Sequence, residues 1–428
     1  MSSQLGKTYA LIEMKRATHT TVQISRLQAK LSRQVKHLSI RLGLWLIVLL
    51  CACSAPSASD PIDQADQQAL SDVAGADSQG PAPLRVQRIK LGEHSTDATG
   101  KSPKVVFDLP ADVTAIVVHV DGPDEFHYTL AALTRDAGFA MIPQAWLDQT
   151  SLPDACVGPC QNRIVAQRGY AAFLFPNTPL IELRPGLHQI RVYAFDDARK
   201  PVATQVEIGV DFVRSTEVST TLKLPMNLCF TGAKGWNAVN SVDQQRLQQA
   251  IDFAQTILSA ANIEFGPIRR FDVDPQGQYI ATQKPVDSDL AKLFESGAGL
   301  PKAINVFFTD RIIAAGAPPG ANVALGVAGG IPGPPNEVGH IRAGVALSLH
   351  IPQGQPDLLG VTLVHEVSHY LGLFHSSEPG PNGAHDTLVD TAEDDPKNLM
   401  YWSLSEQSLQ LSHEQIQVLR RSPWLVAP

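Results

Sequence analysis

Two folded domains of different class are predicted in the 428 residues: an all-β domain over residues 84–222, then an α/β (α+β) domain over residues 223–428. Three observations carry this expectation. Short runs rich in Val, Ile, Phe and Tyr alternate with Pro, Gly and Asp turns through the first stretch. Helical periodicity enters only after residue 240, interleaved with apolar strands. A helix-like segment dense in His follows the last of those strands. With 44% hydrophobic and 18% charged residues and no visible internal repeat, the chain can bury two cores.

Residues 1–41 carry eight Lys and Arg against one acid, Glu13, and residues 42–52 run Leu-Gly-Leu-Trp-Leu-Ile-Val-Leu-Leu-Cys-Ala without a charge. That is the n-region and h-region of a signal peptide, expected over residues 1–53. As a helix this run reaches about 16 Å, half a bilayer core, so a permanent span is not expected. Leu50-Cys-Ala-Cys53 resembles the lipobox of bacterial lipoproteins, which implies lipidation of Cys53 and contact with a membrane through that lipid only. Ser54 after the cysteine implies an outer-membrane address in a diderm cell. Ordinary cleavage near Ala52 or Ala55, giving a secreted protein, is the alternative.

Residues 54–83, rich in Ala, Ser, Asp, Gln and Pro, read as a disordered tether. Without residues 1–53 the chain has 26 basic and 41 acidic residues, a net of about −15, and nucleic acid is not an expected partner. A monomer is expected. Cys156 and Cys160, in Cys-Val-Gly-Pro-Cys, are expected to form a local disulfide in an oxidising compartment, since zinc there would need two further ligands. Cys229 remains, either a buried apolar-strand residue or a cap on a metal.

In the β domain the runs at 104–109, 113–120, 169–175 and 187–195 read as strands of an antiparallel sandwich, immunoglobulin-like or related. Residues 186–196 and 203–213 look like the closing strand pair of such a domain. Beyond residue 222 come a strand at 224–230 and a helix with Leu247, Ile251, Ala254, Leu258 and Ala261 on one face, with Ser241 and Gln244 as its capping box. Strands at 268–273, 304–309 and 343–350 follow. Residues 323–330, Val-Ala-Leu-Gly-Val-Ala-Gly-Gly, are either an edge strand for pairing an extended substrate or an internal strand or plain loop.

Residues 365–375, His-Glu-Val-Ser-His-Tyr-Leu-Gly-Leu-Phe-His, fill every fixed position of the pattern H-E-x-x-H-x-x-G-x-x-H. His365 and His369, four apart, share a helix face and can reach one zinc ion. Gly372 can end the helix in a left-handed turn that returns His375 as third ligand. Glu366 points into the same cleft as general base for peptide-bond hydrolysis, with water in the open fourth position.

This motif and the α/β order resemble the metzincin clan of zinc metallopeptidases, whose catalytic domain has a twisted five-stranded sheet on two helices. Asn398-Leu-Met400-Tyr matches the clan's Met-turn, which implies Met400 as floor of the site. Asp386-Thr-Leu-Val-Asp390-Thr391 looks like the pappalysin-type stretch; Ser376 after the third histidine is the matrixin choice, and flanking pappalysin cysteines are missing. Trp402 stands where several metzincins have a tyrosine. Trp402 and Tyr370 are candidate cleft walls.

Asp386, Asp390, Glu393 and Asp394 are calcium candidates, as in the pappalysin group, or an ordinary solvated loop. Ser412 and Gln415 cap a last helix. The resemblance implies a zinc endopeptidase acting on protein or peptide substrates. Two alternatives stand beside it: a surface-binding lipoprotein with an inactive or latent peptidase-like domain, and a hydrolase of non-peptide amides.

Overall fold

In the computed structural model the described residues are 85–135, 140–143, 147, 155–156, 162–214, 220–273, 279–281, 288–313, 324–335, 337–351, 357–379 and 385–427. Residues Pro81–Pro428 form one compact unit. The predicted signal peptide, Cys53 and the 54–83 tether lie outside the described residues, as does Cys160 and the side chain of Cys156, and with them the expected disulfide. Among the described residues no helix is long and apolar enough to cross a membrane.

The N-terminal half contributes β1 (Val86–Ser95), β2 (Val105–Leu109), β3 (Val113–Asp121), β4 (His127–Arg135), β5 (Ala140–Ile142), β6 (Ala155–Cys156), β7 (Ile164–Val165), β8 (Gln167–Arg168), β9 (Tyr170–Phe175), β10 (Gly186–Phe195) and β11 (Gln205–Arg214). They form two antiparallel sheets, ordered β1-β11-β3-β9 and β2-β10-β4-β5, with β8 beside β4. Ile116, Val118, Phe173, Ile208, Leu130 and Val192 meet in the core between them. Residues 186–196 and 203–213 are not a hydrogen-bonded pair. β10 pairs with β2 and β4, whereas β11 pairs with β1 and β3, so the chain crosses between sheets there.

Strands β3 and β9 of the first sheet are buried on both faces. Alternate residues of its strands, Ala115, Val117, Ala172, Leu174 and Val213, pack into the core of the C-terminal half. This is why residues 113–120 form a nearly unbroken apolar run instead of the alternation of a half-solvated strand.

The C-terminal half contains β12 (Leu222–Phe230), α1 (Gln245–Ser259), β13 (Ile263–Asp272), β14 (Tyr279–Ala281), α2 (Asp289–Glu295), β15 (Ile304–Thr309), β16 (Arg311–Ile313), β17 (Gly326–Ala328), β18 (Val345–Ser348), α3 (Asp357–Leu371) and α4 (His413–Arg420). Its main sheet has the order β13-β12-β15-β18-β17. All pairings are parallel except that of the edge strand β17 with β18.

Helix α1 buries Leu247, Ile251, Ala254 and Leu258, the expected face. At Gly360 of α3 a Cβ would stand 2.8 Å from the Ala250 oxygen, so glycine lets the two helices approach. The Ser241–Gln244 capping box does not form. Residues Asn240–Asp243 make a 3₁₀ turn instead, Ser241 Oγ donates to the Ala238 oxygen, and Gln244 caps α1 without a side-chain bond. The Ser412–Gln415 box on α4 is present. Cys229 lies in a separate apolar cluster with Phe294 and Phe307, and burial pushes its thiol pKa up. It is a core residue.

Polar anchors also join the halves. Arg88 on β1 binds Asp211 at 2.8 Å and Glu337 at 2.6 Å, and Arg342 Nε donates to the Arg168 oxygen at 2.7 Å. His119 sits between Gly209 and Tyr170 at this junction; burial, then the charges of Arg88 and Lys90, push its pKa down to about 3. The unfolded imidazole titrates near 6.5, so only the unfolded chain takes up this proton between those values, and stability falls as pH drops through that window. The expected slope is about 1.4 kcal/mol per pH unit. Between pH 7 and pH 5, urea titrations should show His119→Gln losing about 2 kcal/mol less than wild type. Equal losses would refute the assignment.

Candidate metal centre

Helix α3 carries His365, Glu366 and His369, all buried. It ends in three bonds that cap its last turn: Gly372 N–H donates to the Ser368 oxygen at 3.1 Å and the His369 oxygen at 2.9 Å, and Leu373 N–H donates to the Ser368 oxygen at 3.0 Å. Gly372 has φ +121°, a conformation that favours glycine, and the reversed chain returns His375 to the helix. The ring centroids of His369 stand 4.6 Å from those of both His365 and His375, which are 5.4 Å apart. One nitrogen from each ring lies within 4.8 Å of the others, a group that could hold a metal ion.

Each ring's Nδ1 is occupied. That of His365 donates to the Leu399 oxygen at 2.7 Å, that of His369 to the Leu373 oxygen at 2.6 Å, and that of His375 to Glu378 Oε2 at 2.9 Å. These bonds fix the tautomer, leaving the Nε2 lone pairs as ligands. Burial pushes the pKa of His365 down to about 3 and that of His369 well down, so both rings stay neutral as ligation requires. The donor set therefore fits a divalent metal that accepts imidazole.

Glu366 lies in the same cleft, of about 590 Å³, with the triad, Trp402 and strand β17. Burial pushes its carboxyl up to about 8, opposed by a hydrogen bond from the Ala328 backbone. Strand β17 can lie this close because Gly326 has no side chain; a Cβ would stand 2.5 Å from Glu366 Cγ. Backbone bonds at Leu325 and Gly329 tie β17 to β18. By the alternation of an antiparallel ladder, the backbone groups of Gly326 and Ala328 face the open edge. Among the described residues no strand pairs with that edge. Residues 323–330 thus include an edge strand beside the triad, although 323 lies outside the described residues.

Met400 is fully buried. Its turn braces the site through backbone atoms: the Leu399 oxygen holds His365, and the Met400 oxygen accepts from Ser376 N–H at 2.8 Å. Asn398 Oδ1 accepts from Met400 N–H, and Asn398 and Gln415 of α4 exchange two amide bonds, so the last helix steadies the turn. Trp402 lines the cleft, but Tyr370 does not. It is buried beyond the helix against Trp424 and Gly333.

The acidic residues make contacts within the protein. Asp386 accepts from Leu388 N–H and Thr391 Oγ, Asp390 accepts from Ser412 Oγ and Glu414 N–H at the start of α4, and Asp394 N–H donates to Ser377 Oγ. Glu393 and Asp394 are exposed. Among the described residues the one group of three or more His, Cys, Asp or Glu close enough to share an ion is the histidine triad.

Two residues of the site escaped the sequence. Glu378, three positions past His375, binds that ring and also accepts from Arg163 Nη2 at 2.7 Å. Burial raises the Glu378 carboxyl, but bonds to His375 and Arg163 outweigh it and bring the pKa down to about 2. The i,i+3 spacing from a ligand was a visible signal for Glu378; Arg163, more than two hundred residues upstream, left none.

No protein-family model matches the chain, and no curated protein matches it. Among solved structures it is similar to the crystal structure of metalloproteinase-II from Bacteroides fragilis, at 14% identity and a TM-score of 0.31. The match covers 51% of this chain and spans 63% of that one.

Proposed function

We propose that the chain is a zinc-dependent endopeptidase of metzincin type. The observation that carries this is the convergence of three imidazoles, each with its Nδ1 bonded elsewhere, beside a buried carboxyl and an open strand edge. His365, His369 and His375 would hold the ion. Bound there, zinc supplies a Lewis acid that acidifies a water and polarises a carbonyl.

The chain's own residues do the rest. Gly326 and the Ala328 oxygen offer backbone hydrogen-bonding groups to an extended peptide, while the Ala328 N–H is held by Glu366, and this pairing orients the scissile bond across the cleft. Glu366, with its proton affinity raised towards neutrality, takes a proton from the attacking water. It returns that proton to the amine nitrogen as the C–N bond breaks, leaving a carboxylate and an amine.

Purified full-length chain is expected to carry one zinc and to cleave a random peptide library, with chelation abolishing cleavage and zinc restoring it. Elemental analysis and mass spectrometry read both results. Zinc without cleavage would favour the latent, binding-protein alternative; no zinc would refute the proposal.

A further inference from the structure

The β-sandwich plays no part in the His-Glu motif, yet one of its side chains ends on the metal centre. Arg163 precedes β7 and is buried. Its backbone is clamped by Asn177: Arg163 N–H donates to Asn177 Oδ1 at 3.2 Å, and the Arg163 oxygen accepts from Asn177 Nδ2. From that fixed base the guanidinium crosses to the other half of the molecule. Its central carbon lies 4.7 Å from the centroid of the Phe374 ring, Nη2 donates to Glu378 Oε1, and Nη1 reaches the His375 oxygen at 3.4 Å. The second Glu378 oxygen holds His375 Nδ1.

We propose that Arg163 is a positioning residue of the metal centre, fixing Glu378 and through it the tautomer and direction of His375. The inference rests on the metal-binding reading of the triad. His365 and His369 sit on a helix, and their Nδ1 partners are backbone oxygens that the fold itself places. His375 lies beyond the helix, its side chain is 25% exposed, and its partner is a carboxylate on a flexible stem. Unanchored, that carboxylate would exchange the imidazole for water. Arg163, whose side chain is only 7% exposed, removes this freedom with a charge-assisted bond and a stacked cation. A lysine could supply the charge but not the planar contact with Phe374. The sandwich thereby becomes a working part of the site.

The test uses full-length chain and zinc alone, with affinity read by competition against a chromophoric chelator. Arg163→Met and Glu378→Gln should each weaken zinc binding about 10- to 100-fold. Because they act along one path, the double variant should bind no more weakly than the weaker single. Arg163→Lys should recover part of the loss, and visible bands of the cobalt-loaded protein should shift in Arg163→Met. Wild-type affinity in Arg163→Met, or a double-variant loss equal to the product of the singles, would overturn the inference. Should Arg163→Met fail to fold, Glu378→Gln and Arg163→Lys carry the same test, and wild-type zinc affinity in both would overturn it. Absence of zinc from the wild-type chain would instead refute the metal reading, so the two failures are distinguishable.

Discussion

Glu366→Gln is expected to retain stoichiometric zinc and lose about 10²- to 10⁴-fold in kcat. Glutamine matches the shape of glutamate and can still accept the hydrogen bond from the Ala328 backbone, so the cleft and strand β17 keep their places. Glu366 is not among the three converging histidines, so a metal held by them has no reason to leave. What disappears is a group that accepts and releases a proton. The loss should therefore fall on kcat with KM little changed, the mark of an interaction made only in the transition state. Loss by misfolding has the opposite signature in the metal-free chain. The folded carboxyl pKa lies well above its unfolded value, so ionising Glu366 destabilises the fold as pH rises from about 4.5 towards 8. Removing it should raise metal-free stability at pH 7. Elemental analysis, steady-state kinetics and urea titration read the three expectations, and undiminished turnover in Glu366→Gln would end the general-base assignment.

The part of the site that was legible in the sequence is the part built by one helix and its cap. Four-residue spacing, a glycine with positive φ and a histidine three residues later are local geometry, and His365, Glu366, His369 and His375 come together as that geometry requires. The remainder depends on chain segments that no spacing connects. Leu399 reaches His365 through its backbone oxygen, which any residue could supply, and Arg163 reaches Glu378 across the junction between the halves. The acidic run was ambiguous for a related reason. Carboxylate density left calcium and an ordinary loop both open, and it gave no sign that Asp390 caps α4 or that Asp386 closes its own turn.

The fold divides in the same way. Runs of β-branched and other large apolar residues marked β2, β3, β9, β10, β12 and β15. Strand β1 was missed because a bulge between Lys90 and Gly92 breaks its alternation, and β4 because Leu-Ala-Ala-Leu is equally good helix sequence. Most consequential was β3. Its apolar residues on both faces read as an ordinary core strand, when one face belongs to the sandwich and the other to the layer that carries the histidine triad.

That shared surface makes Gly372→Ala a more damaging change than its size suggests. An L-residue at φ +121° is strained by about 1–3 kcal/mol, and here the new Cβ would stand 2.7 Å from Cδ2 of Leu174 on β9. Overpacking adds about 1–3 kcal/mol. The chain can relieve both by unwinding the cap formed at Ser368 and His369, which carries His375 away from the triad. Gly372→Ala should therefore lose zinc affinity by at least about tenfold, in proportion to 1.4 kcal/mol or more of distortion falling on the third ligand. Leu174→Ala alone opens a cavity and costs stability, yet it leaves the helix cap intact and should bind zinc normally. Combined, the two should compensate: the double variant should recover part of the zinc affinity lost in Gly372→Ala, because the clash is gone and only the backbone strain remains. A double variant as poor as Gly372→Ala would place the whole effect in the glycine's φ and leave Leu174, and the sandwich behind it, without influence on the cap.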